Sequence, residues 1–280
     1  MRHLLSFIIR IGSYPIIFGL SSAALLLVAD GQVSYWPYAP LIAAIGITCV
    51  ALLEHIQPYE PKWLSDHNDT LADILHAIFS ISLIFMTAEF ITLFRQFIHI
   101  PSIWPVHCSI WIQVLIAGMI IDFGLWYMHR LSHQYRFLWR LHALHHSSER
   151  LYWLNGERRH PLSAILIAAP SIIVAVLLGA PAAIIGCWLA MTAVHLAFQH
   201  ANLNYTLGPF KHLLGTAEVH RWHHKHGYAK ANFGEFWMIW DHLFGTYHYE
   251  NKKVNAGEVG IRTSMPTNYL KQLEWPFKKN

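Results

Sequence analysis

Residues 129–146 read HRLSHQYRFLWRLHALHH, and HRWHH follows at residues 220–224. His129 and His133 are four apart, so on a helix they share a face and can grip one ion between them. His142, His145 and His146 keep the i, i+3, i+4 spacing, and His220, His223 and His224 repeat it. Neutral imidazole is the side chain most often found on a metal. With 21 histidines in 280 residues, H-x-x-H-H is expected by chance about 0.1 times, so two copies beside an H-x-x-x-H indicate a metal centre rather than water-facing helices.

His195 and His200 end an apolar run in VHLAFQHANL. Five helical residues turn through about 140°, so these two share a face only where the helix ends or bulges. His200 reads as a ligand; His195 reads either as a ligand or as an interior histidine bonded to its neighbours. His160, in RRHP, suits a ligand, or an interface or substrate role beside Arg158 and Arg159, whereas His226, His242 and His248 read as structural or as supports behind the ligands. The three clusters supply eight histidines and the last pair makes ten. One ion takes about four to six ligands, so two ions close together fit the count better than one.

Imidazole suits zinc, copper, iron and nickel alike, which leaves the element open. A redox-active pair at a membrane surface suits a hydrocarbon chain or ring that never leaves the lipid. A zinc-dependent membrane hydrolase with a histidine-only site is the alternative, although G-x-S-x-G, H-E-x-x-H and a spaced pair of acids are all missing. A metal transporter would carry polar residues through the middle of several spans, and here the apolar runs 4–28, 36–53 and 161–198 hold few.

The elements that must position these histidines are membrane helices. Hydrophobic residues make up 54% of the chain and charged residues only 13%, against about 25% in soluble domains. Mean hydropathy is +0.32. Apolar runs cover residues 4–28, 36–53, 71–94 and 109–128, each long enough to span a bilayer. The first run is long and lacks an A-x-A-like cleavage site, so it reads as a membrane helix rather than a signal peptide. Residues 54–70 read as a surface loop, and Asp73, His76 and Glu89 within the third run are expected to face the protein interior. Residues 161–178 and 182–198, joined by Gly179-Ala180-Pro181, form a short apolar helical hairpin that returns His200 to the side where His129 emerges.

The expected architecture is an all-α integral membrane protein with about four transmembrane helices, that hairpin, and a histidine-rich helical cap. Residues 1–128 hold the transmembrane helices and residues 129–280 the histidine-box region with the hairpin at 161–199. With these spans, 19 of the 20 Lys and Arg residues share one side and only Arg95 lies opposite. The positive-inside rule makes that side cytoplasmic, with both termini and all the histidine clusters. The net charge of +4 therefore follows membrane topology and gives no reason to expect nucleic acid. Cys49, Cys108 and Cys187 lie in or beside apolar runs without a C-x-x-C, which argues against a disulfide framework or an iron–sulfur site.

The order H-R-x-x-H, LWRLHALHHS, an Asn before RRHP, QHANL, HRWHH, NFGEFWMIWDHLFGTY and PTNYLKQLEWPF resembles the fatty acid hydroxylase superfamily, which includes sterol desaturases, sterol C4-methyl oxidases and alkylglycerol monooxygenase. The resemblance covers about residues 122–277. It implies an integral membrane, non-haem di-iron oxygenase that uses O2 and electrons from outside the chain to hydroxylate or desaturate a lipid. It further implies that His129, His133, His142, His145, His146, His200, His220, His223 and His224 hold two iron ions, with His195 a tenth candidate. Asn155 and Asp241 match family positions and are expected to orient imidazoles by hydrogen bonds. His242 and Phe233 stand where relatives often carry Arg and Tyr, outside the boxes. No G-x-G-x-x-G, haem or iron–sulfur motif is present, so electrons are expected from a partner protein or reductase. Arg136, Arg140, Lys211, Lys225 and Lys230 suit docking of an acidic carrier or contact with anionic lipid.

Overall fold

The computed structural model describes residues 2–98 and 100–278. Among these residues ten α-helices run in the order α1 (Arg2–Ala29), α2 (Tyr35–Ile56), α3 (Thr70–Arg95), α4 (Ile110–Gln134), α5 (Arg136–His146), α6 (Pro161–Leu177), α7 (Ala182–His200), α8 (Ala217–His224), α9 (Ile239–Leu243) and α10 (Tyr269–Glu274). No β-strand forms among the described residues. The protein is thus an all-α integral membrane protein. The apolar runs become helices because a bilayer leaves backbone N–H and C=O groups no other way to be satisfied.

Five helices, α1 to α4 and α7, are long and apolar enough to cross a membrane. This is one more than the sequence reading, because α7 continues unbroken through Gln199 to His200 instead of stopping in a shallow hairpin. Nor are α6 and α7 a packed pair: α6 lies against α3 and α4, whereas α7 lies against α1, α2 and α4. The turn at Gly179, where φ is 93°, separates the two helices by carrying the chain across the far end of the bundle. There Arg95 donates to the carbonyl of Val176, and the amide of Ile103 donates to Leu178.

α7 is the central post. Nearly every side chain on it from Ile184 to His200 is buried, while α1, α2 and α3 turn Leu20, Leu52 and Phe90 outward. Apolar side chains facing outward are the expected face toward acyl chains. Close approach of α4 to α7 depends on Gly118, since a Cβ there would lie 2.5 Å from the Trp188 ring. Gly118→Ala is therefore expected to lower stability by about 1–3 kcal/mol through overpacking. A lowered unfolding temperature in detergent checks this; an unchanged one means that Trp188 can swing aside.

Residues 54–70 are not a bare surface loop. Glu54 is buried and its Oε2 accepts from the amides of Trp153 and Asn202. Trp63 is buried with Leu151, Trp222, Val254 and Val259, so the segment is part of the cap. Within α3, Asp73 and His76 face the interior as expected, but Glu89 is exposed. It lines a cavity of about 190 Å³ with Tyr35, Thr92 and Gly186.

Candidate metal centre

Four helices bring histidines to one place at the cap end of the bundle. α4 ends with His129 and His133, α5 carries His142, His145 and His146, α7 ends on His200, and α8 carries His220, His223 and His224. The i, i+3 and i+4 spacings put each set on one helical face, as required if rings from different helices are to meet.

They meet as two groups. In the first, one ring nitrogen from each of His129, His133, His142, His146 and His223 lies within 4.8 Å of the others; His145, His200, His220 and His224 form the second on the same criterion. The groups are side by side, with the rings of His146 and His224 stacked at 4.5 Å and those of His142 and His145 at 5.1 Å. All nine are buried except His133, which is partly so. The Nε2 of His200 is 3.0 Å from that of His220, which is 3.1 Å from that of His224. Those separations suit neighbouring ligands on one ion with metal–nitrogen bonds of about 2.0–2.1 Å.

The donor chemistry fits a metal. His129 Nδ1 donates to the Phe233 carbonyl, His223 Nδ1 to that of Ala231 and His200 Nδ1 to that of Leu196. Each bond fixes the tautomer and leaves an Nε2 lone pair facing inward. The Nε2 atoms of His129, His133, His142, His146 and His223 are all buried without a hydrogen-bond partner. Five unpartnered imidazole nitrogens turned to one point would be costly unless a cation satisfied them. Burial, and after it the neighbouring imidazoles, hold His142, His145, His146, His220 and His224 well below the ordinary histidine pKa. The rings therefore stay neutral, the form in which imidazole binds metal.

His195 is not brought into either group. α7 stays regular between His195 and His200, so the five-residue step turns them to different faces. His195 Nε2 donates to the Gly215 carbonyl at 3.1 Å, and its Nδ1 accepts from the Tyr14 hydroxyl at 2.7 Å. Neither nitrogen has a lone pair to spare. His160 is also occupied: it caps α6 by accepting from the Leu162 amide and donates to the Leu273 carbonyl.

Asn155 and Asp241 act on backbone rather than on imidazoles. Asn155 accepts from the Tyr152 amide and donates to Ser148 and Asp73, bracing the segment between α5 and α6. Asp241 accepts from the amides of Phe233 and Gly234 and from the Thr246 hydroxyl. It thereby holds the strap, residues 231–237, whose Phe233 carbonyl fixes His129.

Two further residues, Asp122 and Gln199, hold that strap from outside, and a third, Glu235, lies on it; their individual roles were not read from sequence. Asp122 accepts from the amides of Phe236 and Trp237 and from the Trp240 indole, and Gln199 donates to the carbonyls of Gly234 and Glu235. Glu235 lies 3.5 Å from His129 Nδ1 and 3.8 Å from Arg159. An acid inside an apolar run, seven residues before His129, was the available signal for Asp122. Of the cations expected to form a docking face, Arg140 holds the carbonyls of Trp275 and Pro276, Lys211 pairs with Glu218, and Lys225 pairs with Glu258. These three serve the cap itself.

Among the membrane helices, two cavities open beside the segment between α5 and α6. One of about 240 Å³ and one of about 420 Å³ share the walls Ile47, Ile81, Ala193 and Leu196, and Glu157 lines both. They lie in a gap with α2 and α7 on one side and α3 and α6 on the other. Leu196 lines the gap and its carbonyl holds His200.

The chain is similar to known proteins over the same region. The sequence model of the fatty acid hydroxylase family matches residues 114–246, a span that takes in both histidine groups. The chain is 32% identical over 245 residues to ornithine lipid hydroxylase OlsE of Rhizobium tropici, covering 83% of this chain and 73% of that one. It is 33% identical over 144 residues to alkylglycerol monooxygenase of Homo sapiens, covering 50% of this chain but 32% of the relative. Methylsterol monooxygenase 1 of Rattus norvegicus is 25% identical over 207 residues, 71% of this chain and 69% of the relative. No solved structure matches.

Proposed function

The chain belongs to the fatty acid hydroxylase family, and from that premise we propose that it is a membrane-bound non-haem di-iron oxygenase that hydroxylates or desaturates a lipid with O2 and electrons from a separate carrier. The observation that carries this reading is the pair of adjacent histidine groups, five and four imidazoles, beside an apolar gap between membrane helices, with Gly156 lining the gap and packing on His200. His129, His133, His142, His146 and His223 would hold one ion, and His145, His200, His220 and His224 the other. Bound iron supplies what side chains lack, the ability to activate O2 for attack on an unactivated C–H bond.

The chain's own residues do the rest. The strap carbonyls fix the tautomers of His129 and His223, and Asp122, Asp241 and Gln199 keep the strap in register. Ile47, Ile81, Ala193 and Leu196 exclude water and admit an acyl chain or ring directly from the bilayer. Placement of one carbon against the cluster selects between alcohol and double bond. The distribution of Lys and Arg supports a cytoplasmic position for this end of the bundle, where a soluble carrier or a membrane reductase would deliver electrons.

The test is expression in a host supplied with iron, followed by metal analysis and mass spectrometry of total lipid against a vector control. The expected result is iron in excess of zinc and a lipid that gains one oxygen or loses two hydrogens only in the presence of O2. Zinc in excess with unchanged lipids would overturn the reading in favour of a hydrolase.

A further inference from the structure

One carboxylate that lines the lipid gap is not accounted for by the metal centre. Glu157 lines both apolar cavities, and its Oε2 is buried without a hydrogen-bond partner. Arg159, which lines the smaller cavity together with it, donates its Nε to the Gly156 carbonyl and lies 3.8 Å from the carboxylate of Glu235. One arginine thus faces two acids, Glu157 and Glu235, and its ion-pair contact is with Glu235. Burial raises the Glu157 carboxyl above its ordinary range, with Arg159 opposing. A desolvated carboxylate with a vacant oxygen is stabilised by a cation that brings its own hydrogen-bond donors.

The position of this acid says where such a cation sits. Gly156, its chain neighbour, packs so near the second histidine group that a Cβ there would lie 3.1 Å from His200 Nδ1. On its other side the walls are Ile47, Ile81 and Leu196. A ligand reaching Glu157 must therefore be apolar along its length and polar at the end nearest the histidines.

We infer that Glu157 is a headgroup-selecting residue, and that the gap takes lipids bearing a primary ammonium group, held against Glu157 with the hydrocarbon tail lying between α2 and α3. This deepens the proposed function and rests on the gap being the lipid site. The ammonium supplies three donors, one of which meets the vacant Oε2. The carbons next to the amine are then the ones presented to the histidine groups.

Octadecylamine and octadecanol differ only in the head and serve as probes. The full chain, purified with its metals in detergent, is mixed with each and the bound lipid is counted by native mass spectrometry. Wild type is expected to retain the amine at least about tenfold more tightly than the alcohol. In Glu157→Gln that preference is expected to vanish, with octadecanol retention and metal content unchanged. Equal retention of the two lipids by wild type overturns the inference while leaving the lipid site standing. Retention of neither overturns both. Loss of both lipids, or of metal, in Glu157→Gln assigns the residue a purely structural role and also overturns it.

Discussion

His145→Ala is expected to abolish lipid oxidation while leaving the chain in the membrane. His145 belongs to the four-imidazole group, where its ring centroid is 4.7 Å from that of His224 and 5.1 Å from that of His200. Its removal leaves three nitrogens where the group has four, which weakens that group's hold on an ion and opens a position to water. The five-imidazole group keeps all its members, so bound metal should fall from about two ions per chain to about one. Chemistry that needs both ions then loses several kcal/mol of barrier lowering, which at about 1.4 kcal/mol per tenfold is a drop of at least about 10³ in product formation. Insertion into the bilayer depends on α1 to α4 and α7, none of which includes His145. Metal analysis, lipid mass spectrometry and membrane fractionation of the same preparation read the three expectations separately. Full activity with two ions would remove this group from the site.

Asp241→Asn should be nearly as damaging, although Asp241 touches none of the nine imidazoles proposed as ligands. Its two oxygens take up the amides of Phe233 and Gly234, and the Asp241 carboxyl is buried. An asparagine of the same shape turns an NH2 group toward one of those amides, so that two donors face each other with no acceptor. Leaving a buried donor unsatisfied costs about 1–3 kcal/mol. The strap then loses the register that sets the Phe233 carbonyl 2.9 Å from His129 Nδ1. Loss of a group that orients a metal-binding histidine typically weakens metal binding by about 10- to 100-fold. Chelator competition should show that weakening together with a lowered unfolding temperature. Thr246→Ala, which removes only one of the donors to Asp241, should do markedly less. Equal effects of the two substitutions would show that the carboxylate's contacts to the strap are not what matters.

The histidine boxes are legible in sequence because helical spacing is a local property. Residues three and four apart must share a face whatever the rest of the chain does, so His142, His145 and His146 could be grouped before any packing was known. His195 shows the limit of that logic. Its five-residue separation from His200 left open whether the helix bulges, and the answer lies in Tyr14, 181 residues away, whose hydroxyl draws the ring to another side. The supports of the site were hidden for the same reason. Asp122 binds amides 114 and 115 residues distant, and Glu54 binds one 148 residues distant. Such partners leave no periodicity to read. The apolar pair α6 and α7 looked like a hairpin because only their own lengths and the turn between them were visible; the surfaces they pack on, α3 and α4 for α6 and chiefly α1 and α2 for α7, were not.

The order in which the clusters occur along the chain has a consequence for biogenesis. His220, His223 and His224 lie beyond every helix long enough to cross the bilayer. While the ribosome is still delivering α7, the imidazoles already made can gather only incompletely, and each of the two groups lacks at least one member until α8 emerges. On the proposed reading, ion capture is a closing event that follows insertion. A cell short of the metal would then accumulate chains that are threaded through the membrane but unlatched at the cap.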